Sequence, residues 1–134
     1  MPTLTVRTTV TDPVVRRRFA KHISMWMRGR GVDLTHVLTE FHTLEPDAVF
    51  SGPFPLAAAG PEPRHVALVR CVVSRDRTRE FLDEAAVEIA RGLAPDVPRD
   101  RVFVHFEPID PLLHHAGPGD TGPRDSESKE TADV

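Results

Sequence analysis

A chain of 134 residues, 40% apolar and 28% charged, has the length and composition of one folded domain with a core of its own. Its net charge of −3 gives no support to a nucleic acid partner, and its single cysteine excludes an internal disulfide. No apolar run approaches the ~20 residues of a membrane span, and the first residues lack a signal-peptide pattern, so we expect a cytoplasmic protein without a membrane partner.

Hydrophobic periodicity predicts four strands and two helices. They are, in chain order, a strand over Thr3–Val10, a helix from Pro13 to Gly29 or Gly31, strands over Thr35–Thr43 and His65–Val73, a helix over Arg75–Leu93 and a strand over Asp100–Glu107. Cys71 lies inside the third, nearly all-apolar strand, and we expect it to be a core residue rather than a nucleophile.

The order of these elements predicts a pseudo-repeat, 2–50 and 64–107, within one domain over residues 1–116. The stretch 51–63 is rich in proline and glycine, which predicts an exposed linker. The stretch 117–134 is rich in Gly, Pro, Ser and acidic residues, which predicts a disordered tail.

Each half reads strand, helix, strand, which favours two parallel strands joined by a right-handed crossover. Two such units give an α/β (α+β) fold, a four-stranded mixed sheet with both helices on one face. The other face would then be bare, and we expect assembly with further copies to cover it.

Pro2 is the first candidate for a functional role. It becomes the N-terminal residue once Met1 is removed, and methionine aminopeptidase accepts proline at this position. Its secondary amine can take a proton from carbon or return it. A free α-amino group titrates near ~8, and both burial and nearby arginines would lower its pKa. Met-Pro is also a common start by chance, so the dipeptide alone assigns no role.

Arg75 and Arg77 stand two residues apart where the third strand meets the second helix. Guanidinium groups bind carboxylates bidentately, and a first helical turn normally prefers acids. Two arginines there are explained if an anionic substrate binds beside them. The alternative is a surface role, with ion pairs to Asp76 or Glu80.

Three segments extend the pattern to a known superfamily. Val37–Phe50 resembles the second strand and following turn of cis-3-chloroacrylic acid dehalogenase, and Val72–Thr78 resembles the Ser-Arg-x-Arg-Ser stretch of malonate semialdehyde decarboxylase. Pro98–Phe106 is similar to the final strand of both enzymes and of macrophage migration inhibitory factor. Together with Pro2 and the two β-α-β units, these segments resemble the tautomerase superfamily. The resemblance implies a homotrimer with a catalytic Pro2 and with Arg75 and Arg77 on the substrate carboxylate.

The same resemblance places four further residues, with departures. The dehalogenase histidine on the first helix falls at Met27, its last-strand tyrosine at His105 and its C-terminal glutamate near His115. We expect His105 to act as a hydrogen-bond donor or acid and His115 to bind substrate. The aspartate of the decarboxylase falls near His36, or at Asp33 if the gap moves, and we expect His36 to bind substrate.

These departures bear on the expected reaction. Tautomerisation or double-bond isomerisation of a small oxo- or enol-carboxylate ranks first because it needs the least machinery, and decarboxylation of a 3-oxo acid ranks second because the two arginines resemble that branch. Hydration or dehalogenation ranks third because the water-activating glutamate is missing. We expect no metal and no cofactor. A trimeric binding or signalling protein of the same fold remains the non-enzymatic alternative.

Overall fold

The computed structural model describes residues 2–55 and 64–113 of the chain. Its strands and helices in these ranges are β1 (Thr3–Thr8), α1 (Pro13–Gly29), β2 (Leu38–Thr43), β3 (Phe50–Ser51), β4 (Phe54–Pro55), β5 (Ala67–Ser74), α2 (Arg79–Leu93) and β6 (Val102–Ile109). Short 3₁₀ helices over Leu34–His36, Pro46–Ala48, Arg99–Arg101 and Pro111–Leu113 connect or follow them.

The main sheet has four strands in the order β2-β1-β5-β6. β1 and β2 are parallel, β1 and β5 antiparallel, and β5 and β6 parallel. Each parallel pair is joined through a helix, so the two β-α-β units meet at the antiparallel β1–β5 pair. This topology confirms the predicted four-stranded mixed sheet with two helices on one face. The two-residue strands β3 and β4 form a separate antiparallel pair.

The core lies between this sheet and the two helices. Alternate residues of the central strands are buried, among them Leu4 and Val6 on β1 and Cys71 on β5. The helical stripe predicted for α1 is buried as well: Phe19 and Ile23 are both 0% exposed. Apolar residues recur every second position on the strands and about every 3.6 positions on the helices, so both sets of side chains face the same core layer. The apolar pattern alone therefore specifies this packing.

Capping residues set the beginning of both helices. Asp12 accepts a hydrogen bond from the Val14 N–H at 2.9 Å, and α1 begins at Pro13 as predicted. The hydroxyl of Thr78 accepts one from the Phe81 N–H at 3.1 Å, so α2 begins at Arg79. The prediction that this helix begins at Arg75 is therefore wrong by four residues, because an N-cap fixes a helix start more sharply than apolar periodicity does.

The sheet face away from the helices, which we call the open face, has no cover in the described part of this single chain. Strand alternation places these residues on it: Thr3, Thr5 and Arg7 of β1, Leu38, Glu40 and His42 of β2, Leu68, Arg70 and Val72 of β5, and Phe103, His105 and Glu107 of β6. Two large apolar side chains stand out from it, since Leu38 is 63% and Phe103 54% exposed.

The predicted domain limits and linker stay predictions. Residues 56–63 of the linker and everything from residue 114 onward, including the predicted tail, lie outside the described ranges. Among the described helices, none is both long and apolar enough to cross a membrane.

Candidate functional site

Pro2 lies at one end of the main sheet, beside the point where β5 leaves it. Its neighbour Thr3 pairs with Leu38 on one side and with Val72 on the other. β5 ends at Ser74, and Arg75 follows. From strand spacings of about 4.8 Å and a rise of about 3.3 Å per residue, the Cα atoms of Pro2 and Arg75 are about 8 Å apart.

Pro2 itself is buried. Its carbonyl accepts a hydrogen bond from the Leu38 N–H at 3.3 Å, which ties the first residues to β2. The residue is therefore held from both sides, by β2 through this bond and by the β1–β5 ladder that starts at Thr3. If this burial persists once Met1 is removed, it disfavours a positive charge on the freed Pro2 amine.

Arg75 and Arg77 occupy the turn between β5 and α2 rather than the helix. The Arg75 N–H donates to the Ile109 carbonyl at 3.0 Å, and the Arg77 N–H donates to the Ser74 carbonyl at 3.1 Å. The first bond ties the turn to the end of β6, and the second closes the turn on itself. The idea that the arginines stand unfavourably in a first helical turn is thus wrong, because α2 begins only at Arg79.

The partner of Arg75 is Asp110, which the sequence did not single out. Nη2 of Arg75 lies 3.3 Å from Oδ2 of Asp110, and the side chains are 64% and 26% exposed. Oδ1 of the same aspartate accepts the Leu112 N–H at 3.0 Å. The expected alternative partners, Asp76 and Glu80, form no ion pair with either arginine among the described residues.

Arg77 lies over an aromatic ring. Its guanidinium carbon is 4.6 Å from the centroid of the Phe81 ring, and the Phe81 ring is 5.2 Å from that of Trp26. Stacking of this kind orients a guanidinium while leaving its N–H edges free for an anion. α2 supplies the ring and α1 supplies its support, so both helices position Arg77.

A shallow depression of about 400 Å³ lies between the two helices, lined by Trp26, Arg30, Asp83, Glu84, Val87 and Glu88. Its charged side chains are largely paired with one another or with neighbours: Glu84 with Arg30, Asp83 with Arg79 and Glu88 with His22. None of the predicted site residues lines it. We therefore locate the candidate site at the sheet end, where Pro2 and the arginine turn meet.

His36 and Asp33 lie at the same end, just before β2. His36 closes a 3₁₀ turn and is half-buried, two residues before the Leu38 that binds Pro2. Asp33 caps that turn: its Oδ1 accepts the Thr35 N–H at 2.9 Å and the Thr35 hydroxyl at 2.8 Å. These hydrogen bonds, the backbone one first, lower the pKa of Asp33 below its ordinary 3.8. The geometry supports a structural role for Asp33.

His105 stands apart from this group. It pairs with Arg70 and is exposed on the open face. Three residues along the strand and two strands across separate it from Pro2, about 14 Å at ordinary spacings. Within one chain it does not reach Pro2, so its role stays a prediction, and His115 lies outside the described residues.

Two residues belong to the core rather than the site. Met27, at the position of the dehalogenase histidine, is 0% exposed. Cys71 is buried, and burial raises its pKa to about 12, so the thiol stays protonated at neutral pH. Within the described ranges no group of three or more His, Cys, Asp or Glu is placed to hold a metal ion.

Comparisons with known proteins identify the fold. No family model and no curated protein matches the sequence. The solved structure of native fused 4-OT superposes with a TM-score of 0.72 at 17% identity, covering 86% of this chain and 92% of that one. FG41 malonate semialdehyde decarboxylase inhibited by 3-bromopropiolate superposes at 0.67 and 17%, covering 86% and 88%. Macrophage migration inhibitory factor of Toxoplasma gondii superposes at 0.68 and 16%, covering 87% and 96%. The chain has the tautomerase fold.

Proposed function

We propose that this protein is a cofactor-independent enzyme of the tautomerase superfamily that uses Pro2 as acid and base on a small oxo- or enol-carboxylate. One observation carries the proposal: a buried Pro2 lies at the same sheet end as the turn that bears Arg75 and Arg77. A proton-transfer group and a carboxylate-binding pair are thereby brought together, which is the least machinery that such a reaction needs.

The acid–base step depends on a free Pro2 nitrogen. After removal of Met1, burial and the nearby guanidinium charges both disfavour the protonated amine and lower its pKa from about 8 towards neutral. The neutral amine takes a proton from the carbon beside the carbonyl, and the resulting ammonium returns it to another position. This transfer interconverts keto and enol forms, or moves a double bond, without a cofactor.

The two arginines have different parts in this scheme. Arg77, stacked on Phe81, is the less exposed of the two and binds the substrate carboxylate through its N–H edge. Arg75 is the more exposed and adds a second positive charge. The enolate oxygen that forms beside the carboxylate is stabilised by the same charges. His36, at this end of the sheet, is a candidate for a further contact.

We also propose a homotrimer. In two solved structures of similar fold, Q0 fused 4-OT is a symmetric trimer and R7 fused 4-OT is an asymmetric trimer. The open face, with exposed Leu38 and Phe103, is a surface that further copies would cover. In such an assembly His105 faces a neighbouring copy, so it would contribute to the Pro2 site of that copy rather than to its own. A cytoplasmic location, like the contact of His115 with substrate, stays a prediction.

Decarboxylation of a 3-oxo acid is the second candidate reaction, because FG41 malonate semialdehyde decarboxylase has the same fold and because Val72–Thr78, which contains both arginines, resembles the Ser-Arg-x-Arg-Ser stretch of that enzyme. Hydration or dehalogenation ranks third. A trimeric binding protein is the non-enzymatic alternative.

The test is the kinetics of Pro2→Ala with phenylenolpyruvate and with 3-oxo acids. Alanine also permits removal of Met1, so the variant exchanges a secondary for a primary amine and leaves the rest of the site in place. We expect kcat/KM to fall by about 10²- to 10⁴-fold, the usual contribution of general acid–base catalysis. Thr3→Ser, one residue further on, is the matched control and should keep wild-type rates. Equal rates for Pro2→Ala and wild type would show that the proline does not catalyse.

A further inference from the structure

Asp110 is the charged group that contacts the proposed carboxylate site and has no place in the reaction scheme. Its Oδ2 lies 3.3 Å from Nη2 of Arg75, while its Oδ1 is held by the Leu112 N–H at 3.0 Å. The backbone bond fixes the aspartate at the end of β6. Arg75 is the freer member of the pair, since its side chain is 64% exposed against 26% for Asp110.

The contact is also a loose one. No hydrogen bond joins Arg75 to Asp110 among the described residues, and the Arg75 side chain is 64% exposed, so its guanidinium is accessible to a ligand. Arg77 lies over the Phe81 ring and has no ion pair among the described residues. The turn therefore presents two positive charges, and Asp110 supplies one fixed negative charge beside them.

We propose that Asp110 acts as an internal counter-ion that restricts the Arg75–Arg77 site to monocarboxylates. Two guanidinium charges and one carboxylate leave a net charge of +1, which one substrate carboxylate neutralises. A second carboxylate on the ligand finds no free positive charge and meets the repulsion of Asp110. The inference rests on the proposed carboxylate-binding function and narrows its substrate class.

Asp110→Asn is the decisive variant, because Asn keeps an oxygen for the Leu112 N–H and removes only the charge. Asp110→Glu keeps the charge. Asp76→Asn is the matched control: it removes an exposed charge between the two arginines in sequence, where no ion pair is seen among the described residues. Butanoate and succinate serve as probes, since they have the same carbon chain and differ by one carboxylate.

Dissociation constants are measured by titration of the arginine side-chain Nε–H signals in NMR spectra, with Arg77→Lys used to assign them. The measured quantity is the Kd for butanoate divided by the Kd for succinate. We expect Asp110→Asn to raise this ratio by about two- to fivefold, because an exposed charge interaction is modest. Asp110→Glu and Asp76→Asn should keep the wild-type ratio.

An unchanged ratio in Asp110→Asn would overturn the proposal. An equal rise in Asp76→Asn would also overturn it, since the loss of any nearby negative charge would then explain the change in the ratio. Turnover separates this result from the proposed function. If wild type binds butanoate but converts no oxo acid, the enzymatic proposal fails while the ratio still decides the role of Asp110. If no variant binds either probe, the proposal for Asp110 falls, while turnover of an oxo acid by the wild type still decides the proposed function.

Discussion

The open face offers the sharpest prediction about assembly, through Phe103. This side chain is 54% exposed in the single chain. A phenylalanine has about 200 Å² to bury, so full coverage by a neighbouring copy would remove about 110 Å² from water. At about 25 cal/mol per Å² this contributes about 2.7 kcal/mol per copy, or about 8 kcal/mol for a trimer. Loss of the three Phe103 side chains from the interface would then lower the association constant of the trimer by about 10⁶-fold.

Phe103→Glu should therefore dissociate the proposed trimer while each chain stays folded. The substitution in an isolated chain costs about 1 kcal/mol or less, because the position is exposed on an edge strand. Met25→Glu is the control: Met25 is 48% exposed on α1, away from the open face. Sedimentation velocity at micromolar concentration, with circular dichroism to check folding, decides the matter. A trimeric Phe103→Glu variant, or a monomeric wild type, would refute the argument.

Two further predictions concern Arg77 and Cys71. Arg77→Ala should raise KM by about 10- to 150-fold, because a hydrogen bond to a charged group is worth about 1.5–3 kcal/mol. Arg79→Ala is the control: this side chain, two residues further on, is 87% exposed, and its loss should leave KM unchanged. Equal effects of the two variants would show that Arg77 does not bind substrate. The Cys71 thiol, whose pKa burial raises to about 12, should react with a disulfide reagent at pH 8 only when the chain unfolds. Rapid labelling of the native protein, relative to a urea-unfolded sample, would contradict its place in the core.

The sequence was sufficient for the architecture because the two periods of apolar residues point to one layer. Phe19 and Ile23 on α1, and Leu4 and Val6 on β1, are buried as their spacing predicts. The start of α2 was misplaced because two hydroxyl residues, Ser74 and Thr78, precede it, and periodicity does not choose between them. The cap hydrogen bond to Phe81 chooses Thr78.

The candidate site was predictable only in part, since its partners come from distant segments. No local pattern links Arg75 to Asp110; the parallel pairing of β5 with β6 brings them together. The stacking of Arg77 on Phe81 is a different case, because the two residues stand four apart on either side of the N-cap and a cation beside an aromatic residue is a recognisable signal. The exposed position of His105 follows from strand alternation, which assigns it to the open face.

The central claim is that Pro2 carries a free secondary amine with a lowered pKa. Nitrogen-detected NMR of protein labelled with ¹⁵N-proline, recorded across a pH titration, tests it most directly. We expect a titrating Pro2 nitrogen with a midpoint at least one pH unit below the ordinary value of about 8. A midpoint at the ordinary value, or an amide signal that does not titrate because Met1 is retained, would contradict it.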